Sequence, residues 1–475
     1  MDYRKTNISS FSSEWNNKFQ LNYYLKNKGC IDNKIKVFDQ HLKSKAIYDN
    51  KVVDSAYFPR VYGKESVENF KKIVQITTSI INKVMDEYFE NPEFRNLYKW
   101  DKFSEKLINF KPKYSQNTPI MRIDLFCDER TKNFSICEFN TGGTAAQSEV
   151  FYLGNDAENF EPFSTLKIFA ANQNKTIKQW ELYKEWVKNF ILIYNEWAEN
   201  TNHVLAVPDT DFNIAIVDFL ENSQLPDFEL FKNAFLEMGY KCSICDIREL
   251  TYRDGKLLDK SKKKIDALYK RATLNDVIPL QNDPGLSQMI EAVFNDDVCP
   301  IDWFSTQLVH DKQISYILHD KLTKSLMTNE ENEFIKKHIP VTYRLTNNNW
   351  HTDEFIANKD NYIVKPLNGR RSKDIFSGKE YSTEKWTDVL KTCAKIDNFI
   401  IQRFCRQYTS KNIALEASSK DQFLSDDYQN CIKNYCNMDG LYCYNQELAG
   451  VWLRQGDHSQ DSTKYNITCP TFYVS

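Results

Sequence analysis

The feature that most constrains this chain is residues 121–140, MRIDLFCDERTKNFSICEFN, in which two largely apolar segments flank a polar turn. The pattern predicts a β-hairpin. If the turn centres on Thr131, Asp124 lies opposite Glu138 and Arg122 lies opposite Asn140, with all four side chains on one face. Like charges directly opposite each other destabilise a sheet by up to about 1 kcal/mol, so the two carboxylates need a compensating partner.

Two explanations of this hairpin stay open from its residues alone. Mg²⁺ prefers carboxylate and amide oxygens and bridges to nucleotide phosphates, and an adjacent arginine can stabilise a phosphoryl group during transfer. The alternative is a solvated sheet face with cross-strand ion pairs, which are common at protein surfaces and weak. The first explanation predicts a metal site, and the second predicts no function.

Composition excludes several other classes of protein. The chain has 475 residues, 41% of them hydrophobic, and a formal net charge of −3, so no basic field draws it to nucleic acid or anionic lipid. The N-terminal residues contain no apolar signal segment, and no apolar run reaches the ~18 residues of a membrane span. We therefore expect a cytoplasmic protein without a membrane or nucleic-acid partner. A homodimer is neither required nor excluded.

The cysteine pattern also favours a cytoplasmic protein. Twelve cysteines lack the regular spacing of a disulfide framework, which fits a reducing compartment. Cys242 and Cys245 form a C-x-x-C in YKCSICDI, but a zinc or redox site normally needs a second ligand pair or a helix N-terminus. The alternation of the surrounding residues predicts a buried strand instead.

Hydrophobic periodicity divides the chain into four regions. Residues 1–112 are predicted to be a helical N-terminal region, in which ESVENFKKIVQITTSIINKVMDEYF shows one apolar stripe. Residues 113–204 hold the hairpin and a long helical tract from about 162 to 199. The pattern of residues 205–309 indicates a strand, a helix and two further strands, which predicts a small α/β subdomain with a parallel sheet. Residues 310–475 open with the helical segment DKQISYILHDKLTKSLM and continue as short strands.

A second group of candidate residues lies in the last of these regions. YIVKPLNGRRSKD places Lys365 at the end of an apolar strand, before a basic loop with Gly369 and Arg370 that could cradle phosphate. No G-x-x-x-x-G-K-[ST] occurs, so this is not a P-loop. Gln402 lies in the strand FIIQRF, and Arg454 ends LAGVWLR. Taken singly, each is better explained as a solvent charge or an edge-strand amide, and only their joint order indicates function.

That order resembles one family. R-x-D, thirteen residues, E-x-N, then K-P-x-x-G-R, an apolar strand with Gln, and A-G-x-x-x-R is similar to the circularly permuted ATP-grasp ligases. The nearest match is the synthetase domain of glutathionylspermidine synthase, and eukaryotic glutathione synthetase is more distant. In ordinary ATP-grasp enzymes the metal-binding E-x-N follows the nucleotide-binding lysines, whereas here it precedes them. The resemblance covers residues from about 55 to 475.

The resemblance implies an α/β (α+β) fold, namely an ATP-grasp fold in circularly permuted order. Residues 113–204 would form its metal-binding hairpin and long helices. Residues 205–309 would be a small Rossmann-like substrate subdomain, and 310–475 would be the nucleotide-binding lid and C-terminal strands. The helical region 1–112 would precede them.

The same resemblance implies a set of ligand-binding residues. Mg²⁺ would be held by Asp124, Glu138 and Asn140. ATP would be bound by Lys321, Lys365, Gly369, Arg370 and the strand around Gln402.

The remaining implied roles concern catalysis and the substrate. Arg122 and Arg454 would stabilise the phosphoryl group in transfer. The turn after Asn140, which contains Gly143 and Thr144, would face the acceptor carboxylate. Arg271, in DALYKRA, would either bind a substrate carboxylate or be a charge at the end of a strand.

The implied activity is ATP-dependent and Mg²⁺-dependent joining of a carboxylate to an amine through an acyl phosphate, with release of ADP and phosphate. The substrates would be small molecules such as an amino acid, a small peptide or a polyamine. The alternatives are a small-molecule phosphotransferase of the same fold and a non-catalytic nucleotide-binding relative. The intact metal ligands disfavour the latter.

Two loops depart from the family pattern. The basic loop reads GRRSKD where the family usually has G-R-E-G, so we expect phosphate contact or lid movement to differ. The turn after the E-x-N reads GGTAA where glutathionylspermidine synthase has serines, so glutathione is not the expected acceptor.

Overall fold

The computed structural model describes residues 11–369, 374–425, 427–457 and 465–475, so Arg370 of the predicted phosphate loop lies outside the described residues. The helices are α1 (Ser13–Lys26), α2 (Ile31–Leu42), α3 (Lys64–Glu90), α4 (Pro92–Arg95), α5 (Lys102–Ile108), α6 (Gln147–Ala157), α7 (Glu161–Ala171), α8 (Leu182–Thr201), α9 (Leu225–Glu237), α10 (Leu274–Val277), α11 (Pro284–Phe294), α12 (Gln307–His310), α13 (Gln313–Ile317), α14 (Lys321–Leu326), α15 (Asn329–His338), α16 (Asp353–Ala357), α17 (Thr383–Ile396) and α18 (Lys420–Leu424).

The strands are β1 (Ile47–Tyr48), β2 (Lys51–Val52), β3 (Ser55–Ala56), β4 (Arg60–Tyr62), β5 (Ile120–Asp128), β6 (Asn133–Asn140), β7 (Ile177–Gln179), β8 (Asn213–Asp218), β9 (Lys241–Asp246), β10 (Thr251–Arg253), β11 (Lys256–Leu258), β12 (Ala267–Lys270), β13 (Cys299–Ile301), β14 (Thr342–Leu345), β15 (Tyr362–Pro366), β16 (Phe376–Ser377), β17 (Phe399–Arg403), β18 (Tyr408–Asn412), β19 (Ala414–Leu415), β20 (Lys433–Tyr444), β21 (Glu447–Asp457), β22 (Tyr465–Cys469) and β23 (Thr471–Val474). The protein is thus a mixed α/β structure. None of the described helices is long and apolar enough to cross a membrane.

The largest sheet carries the predicted hairpin. Its strand order is β19-β3-β22-β21-β20-β5-β6, and β18 also pairs with β20. The long strands β20 and β21 are joined by Asn445 and Gln446, which both have positive φ, as a two-residue hairpin turn of matching twist requires. The hairpin β5–β6 lies beside β20, so it is supported by a neighbouring strand along most of β5.

The small α/β unit has the predicted parallel sheet. Its order is β13-β12-β8-β9, and all three strand pairings are parallel. The chain runs from β8 to β9 on one side and then crosses to β12 on the other. The direction of winding therefore reverses between β8 and β12, at whose carboxyl ends Asp218 and Lys270 lie, and ligands of α/β sheets typically bind at such a point.

A third sheet, with strand order β14-β17-β15-β16, carries the second group of candidate residues. Its pairings are antiparallel, and it buries Trp386 and Leu390 of α17 against one face. Lys365 lies on β15 and Gln402 on the adjacent β17, so two residues that are distant in sequence become neighbours.

Two of the predicted helical segments are interrupted. The tract from about 162 to 199 is not one helix, because strand β7 lies between α7 and α8 and pairs with β23. The segment DKQISYILHDKLTKSLM breaks into α13 and α14 at Asp320, whose side chain accepts the backbone N–H of Leu322 and caps α14. In contrast, the predicted stripe of α3 is confirmed. Cys242 and Cys245 are buried free thiols on β9, as the strand interpretation predicted.

A buried carboxylic acid lies on the opposite face of the large sheet from the hairpin's polar residues. Asp439 of β20 accepts a 2.5 Å hydrogen bond from Tyr62 Oη. Burial and the nearby Glu129 carboxylate raise the pKa of Asp439 to about 7, although the Tyr62 hydroxyl and Arg60 act in the opposite direction. Asp439 therefore holds its proton in the folded protein at pH values where the unfolded chain has lost it.

This raised pKa predicts a pH-dependent stability. The contribution of Asp439 is fully present below about pH 4 and is lost as the pH rises through about 7. Relative to Asp439→Asn, the wild type should lose about 1–3 kcal/mol of unfolding free energy between about pH 5 and about pH 7. Urea unfolding at a series of pH values measures the difference, and parallel curves for the two proteins would contradict the assignment.

Candidate active site

The hairpin pairs its polar residues as predicted, but through a different local structure. Asp124 lies opposite Glu138, and Arg122 lies opposite Asn140. At the turn, Asp128 lies opposite Asn133, whereas a turn centred on Thr131 would place it opposite Phe134. The register then shifts by one residue next to Asp124, so that Cys137 is an extra residue, a β-bulge. Without the bulge, Glu138 would face the other side of the sheet, because side chains alternate along a strand.

Arg122 and Asp124 form a buried, bidentate ion pair. Arg122 Nε donates to Asp124 Oδ1 at 2.6 Å and Nη2 donates to Oδ2 at 2.9 Å. The guanidinium carbon lies 4.1 Å from the ring centre of Trp452. Gly440 of β20 lies opposite Asp124, and a Cβ there would come within 2.8 Å of the Arg122 side chain, so only glycine leaves room for the pair.

The pKa values of the two carboxyl groups are shifted in opposite directions. Burial raises the pKa of Asp124; Arg122 opposes this shift, and the Glu138 carboxylate adds to it. Burial also acts to raise the pKa of Glu138, but Lys312, Lys365 and Arg122 outweigh it and hold this pKa at about 2. Glu138 is therefore ionised at neutral pH. Asn140 Nδ2 donates to Asp124 Oδ2 at 2.9 Å, which completes a polar group on one face.

Lys312, which no sequence motif marks, also belongs to this cluster of polar side chains around Glu138. Lys312 Nζ lies 3.4 Å from Glu138 Oε2 and 3.4 Å from the carbonyl oxygen of Gly369. Its backbone N–H bonds to Leu367, so Lys312 is fixed against the end of the Lys365 strand. The segment VHDKQ contains no motif that marks this lysine, and only the tertiary structure brings it to Glu138.

Lys365 is held in place from two sides. Its Nζ donates to Gln402 Oε1 at 3.0 Å and lies 3.7 Å from the Sγ atom of the bulged Cys137. Gln402 in turn donates from Nε2 to Thr342 Oγ1 at 2.9 Å. Burial acts to lower the pKa of Lys365, but neighbours that include Cys137 and Glu138 raise it overall. Gln402 therefore positions the ammonium group of Lys365.

A cleft lies between the large sheet and the third sheet, and residues of both sheets line it. Its charged lining residues include Glu138, Lys365 and Arg454. Arg454 lies on β21 with its guanidinium carbon 5.3 Å from the ring centre of Trp452. The cleft is also lined by the apolar side chains of Phe126, Ile363, Phe404 and Met438.

The turn after Asn140 is held against the small α/β unit. The backbone N–H groups of Gly142 and Gly143 donate to the two carboxylate oxygens of Asp302, at 3.2 and 3.1 Å. Gly143 has a φ of +129°, and a Cβ there would lie 2.7 Å from the carbonyl oxygen of Arg271. Thr144 Oγ1 donates to the carbonyl oxygen of Asn140 at 3.0 Å. Gly143, Thr144 and Arg271 are thus brought together beside the hairpin.

Of two further predicted ATP-binding residues, Lys321 lies apart from the polar residues around Glu138, whereas Gly369 contacts Lys312. Lys321 is exposed at the start of α14, and within the described part of the chain no hydrogen bond or ion pair joins it to Glu138 or Lys365. Gly369 accepts from Lys312, as given above, and a Cβ there would lie 2.3 Å from Pro366 Cγ. Lys312 is the second lysine beside Glu138, and the ATP-binding role of Lys321 stays a prediction.

The overall fold is similar to that of a glutathione synthetase-like protein. A solved structure of a glutathione synthetase-like effector from Globodera pallida, in its apo form, matches with a TM-score of 0.58 and 11% sequence identity, over 90% of this chain and 94% of that one. At this identity the likeness shows a shared fold and nothing about activity. The sequence itself matches no protein-family model and no curated protein.

Two further solved structures match more weakly. A candidate gamma-glutamylcysteine synthetase from Methylobacillus flagellatus has a TM-score of 0.40 and 9% identity, over 86% of this chain and 87% of that one. D-alanyl-alanine synthetase A from Vibrio cholerae has a TM-score of 0.26 and 8% identity, over 54% and 91%. Both scores are too low to carry an argument.

The positioning role of Gln402 predicts the effect of replacing it. Gln402→Met removes the amide oxygen that accepts from the Lys365 ammonium and the amide N–H that donates to Thr342 Oγ1, so the unfolding free energy should fall by about 1–3 kcal/mol. Gln402→Glu keeps an acceptor for Lys365 and should cost less. Urea unfolding of the three proteins measures both effects, and an equal loss in the two variants would show that the lysine does not depend on this acceptor.

Proposed function

We propose that the protein is an ATP-dependent ligase that joins a carboxylate to an amine and releases ADP and phosphate. The observation that carries this proposal is the convergence of two opposed carboxylates, Asp124 and Glu138, with Lys312 and Lys365 beside one cleft. The motif order and the glutathione synthetase-like fold support it. Membership of the circularly permuted ATP-grasp group, near glutathionylspermidine synthase, is part of the same proposal.

The reaction explains why these residue types are needed. A carboxylate does not react with an amine because its leaving group would be oxide. Transfer of the γ-phosphoryl group of ATP converts it to an acyl phosphate, from which the amine displaces phosphate to form an amide. Catalysis then depends on alignment and on neutralising phosphate charge, which is the chemistry that a group of lysines and arginines supports.

The protein's own groups have distinct parts in this scheme. Lys365, fixed by Gln402, and Lys312, fixed against Leu367, would bind the phosphates as point charges. Arg454 lines the cleft and would contact the transferring phosphoryl group. Arg122 acts through its ion pair, because its guanidinium holds the carboxylate of Asp124 in position. The apolar lining suits a purine base.

Asp124, Glu138 and Asn140 would hold Mg²⁺. The fit rests on their chemistry: two carboxylates and an amide on one face are the oxygen donors that this ion prefers, and Glu138 is ionised at neutral pH. Bound there, Mg²⁺ would neutralise phosphate charge. The substrates are proposed to be a small-molecule carboxylate and a small-molecule amine. The acceptor would approach along the Gly143–Thr144 turn, which borders the metal-binding residues.

Nucleotide binding distinguishes the three lysines. Calorimetry with Mg²⁺ and a non-hydrolysable ATP analogue should show micromolar binding by the wild type. Lys365→Met and Lys312→Met should each weaken it about tenfold or more, which corresponds to about 1.4 kcal/mol for a lost charge contact. Lys321→Met should leave the affinity within about twofold, because this side chain is exposed away from the group.

Glu138→Gln serves as the matched test of the metal site in the same experiment. The variant should lose the gain in affinity that Mg²⁺ gives the wild type, yet bind the analogue at least as well in EDTA, because a negative charge near the phosphates is removed. A general structural defect would weaken both conditions. Absence of binding in the wild type under both conditions would overturn the proposal.

The reaction class is tested by ADP release. A ligase should release ADP only when a carboxylic acid and an amine are both present, and the amide should appear in equal amount by mass spectrometry. A phosphotransferase would release ADP without an amine. A panel of amino acids, small peptides and polyamines, added singly and in pairs, separates the two activities. Lys365→Met is the control for contaminating ATPases.

A further inference from the structure

A buried carboxylate of the protein itself lies next to the proposed acceptor path. Asp227, the third residue of α9, is 1% exposed. Its Oδ1 accepts from the backbone N–H of Ser148 at 2.6 Å and from Tyr183 Oη at 3.2 Å. Its Oδ2 accepts from the backbone N–H of Ala146 at 3.2 Å. Two of these donors belong to the N-terminus of α6, where free N–H groups favour an anion.

An arginine faces the same carboxylate. Arg271 Nη2 lies 3.7 Å from Asp227 Oδ2, and Arg271 Nη1 donates to Tyr269 Oη at 2.8 Å. The side chain is almost fully buried among aromatic rings, and its Nε has no hydrogen-bond partner among the described residues. A buried guanidinium with spare donor capacity requires a negative charge beside it. Asp227 supplies that charge.

The neighbouring turn, which contains Gly142 and Gly143, is also bonded to a buried carboxylate. Asp302, also from the small α/β unit and fully buried, accepts the N–H groups of Gly142 and Gly143. Four backbone N–H groups between residues 142 and 148 are therefore bonded to two aspartates of that unit. These are the donors that an acceptor carboxylate would need if it bound along this turn.

We infer that Asp227 is a resident carboxylate that determines specificity, because it fills the anion pocket made by Arg271, Tyr183 and the N-terminus of α6. A second carboxylate brought there would lose the donors and meet a like charge in a buried site, where repulsion is strong. If the proposed function holds, the acid substrate has the carboxylate that reacts but places no second carboxylate in this pocket. Dicarboxylic acids that would bind Arg271 through a second carboxylate are therefore excluded as substrates.

Removing the side chain should turn the pocket into a binding site for a free carboxylate. Asp227→Ala should show a saturable rise in melting temperature of about 2–4 °C with sodium formate, relative to sodium chloride at equal ionic strength. The wild type should respond equally to the two salts, because its pocket is filled. The matched control is Asp227→Ala combined with Arg271→Met, which should lose the formate response because the guanidinium is gone.

Two results would overturn the inference: a formate response in the double variant as large as in the single one, or no formate response in Asp227→Ala. If that variant folds poorly, its refolding yield in formate and in chloride is compared instead. A higher yield in formate supports the pocket, and equal yields, including none in either salt, contradict it.

This experiment uses neither nucleotide nor substrate, so it fails or succeeds independently of the proposed ligase activity. Normal binding of the Mg²⁺–ATP analogue together with no formate effect would reject the inference alone. A formate effect in a protein that does not bind the analogue would reject the ligase alone. If ADP release is found, Asp227→Ala should gain activity with dicarboxylic acids relative to monocarboxylic acids.

Discussion

Two carboxylates that lie directly opposite each other in a sheet, Asp124 and Glu138, are the constraint on which the rest of this site depends. Like charges directly opposite each other destabilise a sheet unless neighbouring groups compensate them. Arg122 neutralises Asp124 within the same strand, and Lys312 and Lys365 approach Glu138 from a helix end and from another sheet. The cleft between the two sheets lies where these charges meet, so the groups that compensate the two carboxylates also border the proposed ligand site.

The bulge at Cys137 makes that arrangement possible. It shifts the register by one residue next to Asp124, and without this shift Glu138 and Asn140 would lie on the other face of the sheet. It also directs the Cys137 thiol toward Lys365. Bulges next to active sites commonly re-aim a side chain in this way. Gly440 complements the bulge from the neighbouring strand, because a larger residue would collide with the Arg122–Asp124 ion pair.

The small α/β unit shapes the same site from its other side. Its aspartates, Asp302 and Asp227, bind the backbone of the segment that follows Asn140, so the hairpin and this unit share one network of hydrogen bonds. The carboxylates sit where parallel strands and helix ends converge, which in α/β sheets is a place for ligands. Here the protein's own carboxylates occupy that place, and on the inference above they would restrict which acids bind.

Local patterns in the sequence determined the hairpin, the apolar stripe of α3, and the parallel sheet of residues 205–309, whereas the pairing of the hairpin's polar residues also required the bulge at Cys137. Each follows from side-chain alternation or periodicity over a few residues. Only the tertiary structure decided that Lys312 reaches Glu138, and that β7 interrupts the helical tract by pairing with β23. It likewise decided that Asp227 fills the pocket of Arg271. These contacts join residues far apart in the chain, and nothing in the neighbouring sequence of either partner encodes them.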